Sequence, residues 1–217
     1  FLFKLLMAFS YVGTVYLLYK TLQKLWPEKA LFGTVCFALN PLVLIESLVS
    51  AHNDIFMLFL AVAAVYLLVH KKFVLALLIL AVSVGVKFAT LLLLPVFLYV
   101  WFLSWRHKKI SWEIIFTCMT VLMGGAVIAA SLRSNFQPWY LLYLLPFASL
   151  ISQKASVRLP VILLSMAGLC NYIPYLFSGN WDPPIPLILQ SVNLTALGLS
   201  VLLFLVYLKK ERKADKD

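Results

Sequence analysis

The stretch Leu39–Met57 reads LNPLVLIESLVSAHNDIFM and lies between two long apolar runs. It gathers Asn40, Pro41, Glu46, His52, Asn53 and Asp54 in a sequence that otherwise avoids such groups. Pro41 has no backbone N–H and pushes Asn40 out of helical geometry, so a helix arriving through Phe32–Leu39 should stop or kink there. If Leu42–Asp54 resumes as a helix, Glu46, Ser50, Asn53 and Asp54 share one face by their spacing, and Leu42, Ile45, Leu48 and Val49 cover the other. The expectation is a short helix lying at a membrane surface, its apolar side toward lipid and its acidic side toward water.

The whole chain fits that setting. Of 217 residues, 64% are hydrophobic and 12% charged, and the mean hydropathy is +0.99, far outside the balance of a soluble domain. The fold class expected is all-α, a polytopic bundle of transmembrane helices. Phe1–Tyr19 is already of spanning length with one charge, Lys4, so the chain is expected to be a fragment lacking its start. A formal net charge of +10 would suit nucleic acid, but the basic residues stand in short clusters between apolar runs and lack the pattern of a groove binder, so no nucleic-acid partner is expected. Cys36, Cys118 and Cys170 stand singly in apolar stretches, without ligand spacing, and read as buried free thiols.

The basic clusters act as topology signals. They stand at Lys20, Lys24 and Lys29; at Lys71 and Lys72; at Arg106, Lys108 and Lys109; at Lys154 and Arg158; and in the tail from Lys209. A single helix over Phe73–Trp105 would extend about 50 Å, well beyond a hydrocarbon core of about 30 Å. Two short crossings turning near Gly85 and Lys87 fit better. The same logic gives two crossings in Ala30–Val69, two in Ile110–Ser152 joined by RSNFQP (Arg133–Pro138), and two in Leu159–Leu208 turning at SGNWDPP (Ser178–Pro184). The expectation is about nine crossings, with short broken helices and re-entrant turns on the outer face. Residues 1–208 form the membrane domain and 209–217 a basic cytoplasmic tail. Of the 18 Lys and Arg, only Lys4, Lys87 and Arg133 then fall on the outer, extracytoplasmic side, together with Glu46, Asp54 and Asp182.

An ionisable group near the membrane is costly and marks function unless it snorkels to the interface. Lys87, flanked by VSVGV and FATLLLLP, needs a partner from another hairpin, an anionic ligand or headgroups. Arg133 is either interfacial or ligand-binding. Asp54 either caps the helix Ile55–Val69 or takes a proton from a hydroxyl, with Glu46 and Ser50 on its face and His52 able to donate or accept. Glu46, His52, Asp54 and Asp182 could supply ligands for a divalent metal but lack tight ligand spacing, so a metal is an open alternative that is not indicated, and no cofactor is expected. Trp139, Tyr140 and Trp181 read as interfacial aromatics or as platforms for a sugar face.

Three motifs in order, ALNPLVLIESLVSAHNDIFM ending at Met57, VKFATLLLLP at Val86–Pro95 and QPWYLLYLLP at Gln137–Pro146, resemble polytopic glycosyltransferases of the C fold class. The resemblance covers roughly Phe32–Pro146 and is nearest to bacterial polyprenyl-phosphate-mannose-dependent mannosyltransferases and their relatives. It implies an enzyme of the cell membrane that passes a sugar, mannose or another hexose, from a polyprenyl-phosphate carrier to an extracytoplasmic glycan or lipid acceptor with inversion. Lys87 would face the lipid phosphate. His52, Asn53 and Asp54 would line the cavity for sugar and acceptor, and Arg133, Gln137, Trp139 and Tyr140 would complete the binding surface. Asp54 and Glu46 are the candidates for acid–base work. Enzymes of this class hold their catalytic acid in the first outer loop, upstream of where this chain is expected to begin, so Asp54 is alternatively a binding residue. Outside the enzyme class, a secondary transporter or lipid flippase also combines broken helices with a buried Lys near a carboxylate, and a noncatalytic membrane scaffold is a third reading.

Overall fold

Helices α1 (Leu2–Leu25) and α2 (Ala30–Ala38) form an antiparallel pair across the short turn at Pro27–Lys29, and the Tyr11 hydroxyl donates to the Ala38 carbonyl at 2.7 Å. The computed structural model describes residues 1–214; Lys216 of the expected tail lies outside the described residues. The only regular structure among those residues is helical, with no strand.

Asn40 and Pro41 bend the chain as expected. Asn40 is extended, its side-chain oxygen accepts from the Leu42 N–H at 3.0 Å, and Pro41 takes the first position of α3 (Pro41–Leu44), where a missing N–H costs nothing. The segments Pro27–Ala38 and Pro41–Val49 meet at 58°. The chain then departs from the expected continuous helix. Ile45–Val49 is a π turn, with the Ser50 N–H donating to the Ile45 carbonyl at 2.8 Å, and Ala51 adopts a positive φ of 55°. Helix α4 (Asp54–Val69) starts afresh after this turn.

Helix α5 (Phe73–Val86) returns alongside α4, and the chain breaks at Lys87, which is extended at φ −153° and ψ 135°. A 3-10 segment, Phe88–Leu93, leads into α6 (Leu94–Trp105). The Ser83 hydroxyl donates to the Met57 carbonyl at 2.8 Å and lies 3.0 Å from the Thr90 hydroxyl, so one buried serine ties α4, α5 and the 3-10 segment together. Helix α7 (Trp112–Ser134) is followed by a 3-10 segment, Pro138–Tyr143, and the short α8 (Leu145–Leu150). Every residue of α8 is buried. Helices α9 (Ala155–Cys170) and α10 (Ile173–Ser178) lead through the expected Ser178–Pro184 turn to α11 (Ile185–Ala214). Helix α11 continues through the basic segment that was expected to be a tail, and Glu211 accepts from the Ser156 N–H and hydroxyl.

Five helices are long and apolar enough to cross a membrane, six if the bent pair counts as one span. They mark a membrane protein. The expected nine crossings are not reached on this measure, because α4 and α5 have 16 and 14 residues, or about 24 and 21 Å, short of a full span. The surface is rich in exposed Leu, Val, Ile and Phe, as on α11, and this inverts the cysteine reading: Cys118 is exposed, and Cys36 and Cys170 are half-buried. Where lipid is the solvent, an apolar neighbourhood does not imply burial.

Two contacts fix the ends of α7. At its start Glu113 pairs with Lys154; at its end the Ser134 and Tyr140 hydroxyls lie 2.7 Å apart. Its 23 residues separate these ends by about 34 Å, so the basic end of the bundle and the end holding the Pro138–Tyr143 segment are about a hydrocarbon thickness apart.

Candidate active site

The π turn decides where Glu46 points. In the expected amphipathic helix its carboxylate would face water; instead Glu46 and its neighbour Ser47 are fully buried, and the exposed residues are Leu48, Val49 and Ser50. The extra residue of a π turn rotates the following side chains away from α-helical register. Buried carboxylates need donors, and Glu46 finds one 126 residues away: the Tyr172 hydroxyl, at the α9–α10 junction, donates to Oε1 at 2.6 Å. Its Oε2 has no hydrogen-bond partner among the described residues and lies 3.5 Å from His52 Nε2.

His52 is held face to face with Trp139, with ring centroids 4.2 Å apart and planes 22° apart. Burial pushes the imidazole below its usual range; Lys87 adds to that effect and Asp54 opposes it. His52 is therefore neutral at pH 7, and its approach to Glu46 is that of a neutral ring rather than a full ion pair.

Asp54 is the first residue of α4 and is fully buried. It does not cap that helix through its side chain. Instead Oδ1 accepts from Lys87 Nζ at 2.6 Å, while Oδ2 has no hydrogen-bond partner among the described residues. The helix N-terminus favours a negative charge at this position. Lys87 thus finds the partner from a neighbouring element that its apolar flanks require, and its side chain remains 32% exposed. Its ammonium also lies 5.9 Å from the Tyr143 ring centroid, at a range where the ring face attracts a cation.

The helix breaks thus bring together Glu46, His52, Asp54, Lys87 and Trp139. Tyr140 adjoins them, edge-on to Trp139 at 5.9 Å. Asn53 is exposed at the α4 N-terminus without a side-chain cap bond, and Gln137 is half-buried before the 3-10 segment. Arg133 stands exposed in the last turn of α7, with no side-chain hydrogen bond or ion pair among the described residues. Tyr172 and Tyr143 were missed by sequence reasoning. Each is a tyrosine in a long apolar run, which carries no signal of its partner. Asp182 lies in the exposed turn before α11, and no group of three or more His, Cys, Asp or Glu among the described residues could hold a metal ion.

Chemically, the arrangement offers two buried carboxylates, each with one free oxygen, beside a cation mounted at a helix break and a neutral imidazole between aromatic and acidic neighbours. Residues 1–103 match the family model described as alpha-(1->6)-mannopyranosyltransferase, N-terminal domain. The matched stretch contains Glu46, His52, Asn53, Asp54 and Lys87, and ends before the Arg133–Tyr140 turn. Over that stretch, a little under half of the chain, the sequence is similar to this mannosyltransferase family. No curated protein and no solved structure matches the chain.

Proposed function

We propose that the protein transfers a sugar, mannose or another hexose, from a polyprenyl-phosphate carrier to an extracytoplasmic glycan or lipid acceptor, with inversion at the anomeric carbon. The observation that carries this reading is the pair of buried carboxylates, Glu46 and Asp54, each with one unpartnered oxygen among the described residues, in the matched stretch that also holds Asp54's partner Lys87. In such a transfer an acceptor hydroxyl attacks the anomeric carbon while the bond to the phosphate oxygen breaks. The hydroxyl proton needs a base and the leaving lipid phosphate needs a cation. Glu46 Oε2, beside the neutral His52, is the base we favour. Lys87 meets the phosphate, and Asp54 holds Lys87 in place while the site is unliganded. Trp139 and Tyr140 supply aromatic faces for the sugar, with Asn53, Gln137 and Arg133 further toward solvent.

The deciding experiment is transfer by the full-length protein from a set of defined polyprenyl-phosphate sugars, with product anomers assigned by NMR and the assay repeated for Lys87→Ala. Consumption of one donor, lost in the variant, supports the reading; if no donor is consumed under any condition, the reading fails. A secondary transporter or flippase is the alternative, because it too combines broken helices with a buried pair of Lys and carboxylate, here Lys87 and Asp54. Movement of an unmodified substrate across proteoliposomes, without new glycoside, would establish that alternative.

A further inference from the structure

A cleft of about 200 Å³ lies away from the carboxylates, floored by α8 and walled by α2 and α9. Its sides are apolar: Val35 from α2 and Leu39 just beyond it, Leu145 from α8, Val161 and Ile162 from α9. An apolar cavity of about 150 Å³ is enough to stay dry and take up a benzene-sized ligand, so this cleft can seat a length of hydrocarbon chain. It runs along α9 from Arg158 to Met166, about 12 Å, and is closed at the far end by Asn40, whose amide donates to Ser165 Oγ at 3.0 Å.

The near end is polar and unsatisfied. Arg158 is half-buried, with its guanidinium 5.4 Å from the Phe32 ring centroid and Nη1 donating to the Ser152 carbonyl at 3.1 Å. No carboxylate pairs with it among the described residues, whereas neighbouring Lys154 is paired with Glu113. The Ser152 hydroxyl also lines the cleft, and it is buried without a hydrogen-bond partner. A guanidinium with free donors beside an orphaned hydroxyl, at the mouth of a chain-shaped apolar cleft, fits one class of ligand. We infer that this cleft binds an anionic phospholipid of the leaflet at the basic end of the bundle, with one acyl chain along α9 and the phosphate at Arg158 and Ser152. Arginine matches phosphate geometry with paired donors, and basic pockets between membrane helices select anionic headgroups. A free phosphate would satisfy Arg158 but leave the cleft empty, and a zwitterionic lipid would fill the cleft without supplying net charge.

The test uses the full chain in detergent, with native mass spectrometry counting bound lipid during titration with phosphatidylglycerol, phosphatidylcholine of the same chains, or glycerol 3-phosphate. Wild type should retain phosphatidylglycerol over phosphatidylcholine, and Arg158→Gln should cut that preference about fivefold, the worth of one basic residue near an anionic headgroup. Arg158→Lys should keep part of it. Ile162→Trp, at an exposed position on the cleft wall, should weaken phosphatidylglycerol binding with the charge unchanged. Equal retention of the two lipids by wild type overturns the inference, as does wild-type binding by Ile162→Trp or displacement by glycerol 3-phosphate at equal concentration. If Arg158→Gln does not fold, Arg158→Lys and Ile162→Trp decide the matter alone.

Discussion

Lys87 and Asp54, 33 residues apart in the chain, meet at 2.6 Å where α5 has just ended and α4 has just begun. The two partners are unequal, because the Asp54 side chain is fully buried and that of Lys87 is 32% exposed. Removing the cation should therefore cost more than removing the anion. Lys87→Met strands a carboxylate in the interior and should destabilise by about 3 kcal/mol, the lower end for a broken buried pair. Asp54→Asn leaves an ammonium that still reaches solvent and should cost about 1 kcal/mol. Thermal unfolding in detergent, with the double variant closing the cycle, measures both; a larger loss for Asp54→Asn would contradict the asymmetry.

Glu46 and Tyr172 give an activity prediction. Glu46→Gln keeps the volume and an oxygen for the tyrosine but removes the basic site, and sugar transfer should fall by about 100-fold or more, with little change in KM for the donor. Tyr172→Phe leaves the base in place but frees its orientation, so a smaller fall, about tenfold, is expected. Steady-state kinetics with the full-length protein separates the two, and equal losses would mean that Tyr172 does more than position Glu46.

His52 makes stability depend on pH in a fixed direction. Its folded-state value lies below the usual 6.5, mainly through burial, so the folded state binds a proton less readily than the unfolded chain. The contribution is complete above 6.5 and is lost as pH falls through the lowered value. Wild type should lose melting temperature over that interval faster than His52→Gln. Parallel curves for the two proteins would show that the imidazole does not titrate differently on unfolding.

Gly33 tests the packing of α2. A Cβ there would fall 2.9 Å from the Ser149 carbonyl oxygen and 2.6 Å from Leu22 Cδ1, whereas at Gly168 its close contacts would be the ends of the Leu42 and Leu141 side chains, at 2.9 and 3.0 Å, with Pro138 Cβ at an ordinary 3.9 Å. Backbone cannot swing aside as a leucine methyl can. Gly33→Ala should thus cost about 2 kcal/mol and Gly168→Ala clearly less, as read from thermal unfolding of the two variants.

Local chemistry made the breaks in the helices legible in the sequence. Asn40–Pro41, Lys87, the Arg133–Pro138 turn and the Ser178–Pro184 turn all interrupt helices as expected, since a missing donor or an isolated charge acts within a residue or two. That Lys87 needs a partner, a ligand or headgroups followed from the cost of an unpaired charge, but that the partner is Asp54 did not. What stayed hidden depends on register or on distance. One extra residue in the π turn at Ile45–Val49 buries Glu46, and no helical periodicity announces it. Tyr172 reaches Glu46 across 126 residues, and a tyrosine among leucines gives no hint of what its hydroxyl will touch. Cys118 shows the converse error, because in a chain surrounded by lipid an apolar stretch describes the outside as well as the core.

The fastened ends of α7 make that helix a strut. Glu113–Lys154 and Ser134–Tyr140 hold its two tips, so its length cannot change without unseating either the charged end or the aromatic segment that backs His52. A bilayer thinner than this rod is met by leaning the whole molecule, and a thicker one by thinning the bilayer around it. The spacing between the lysine-marked floor and the carboxylate chamber would then travel with the protein, whichever membrane it enters.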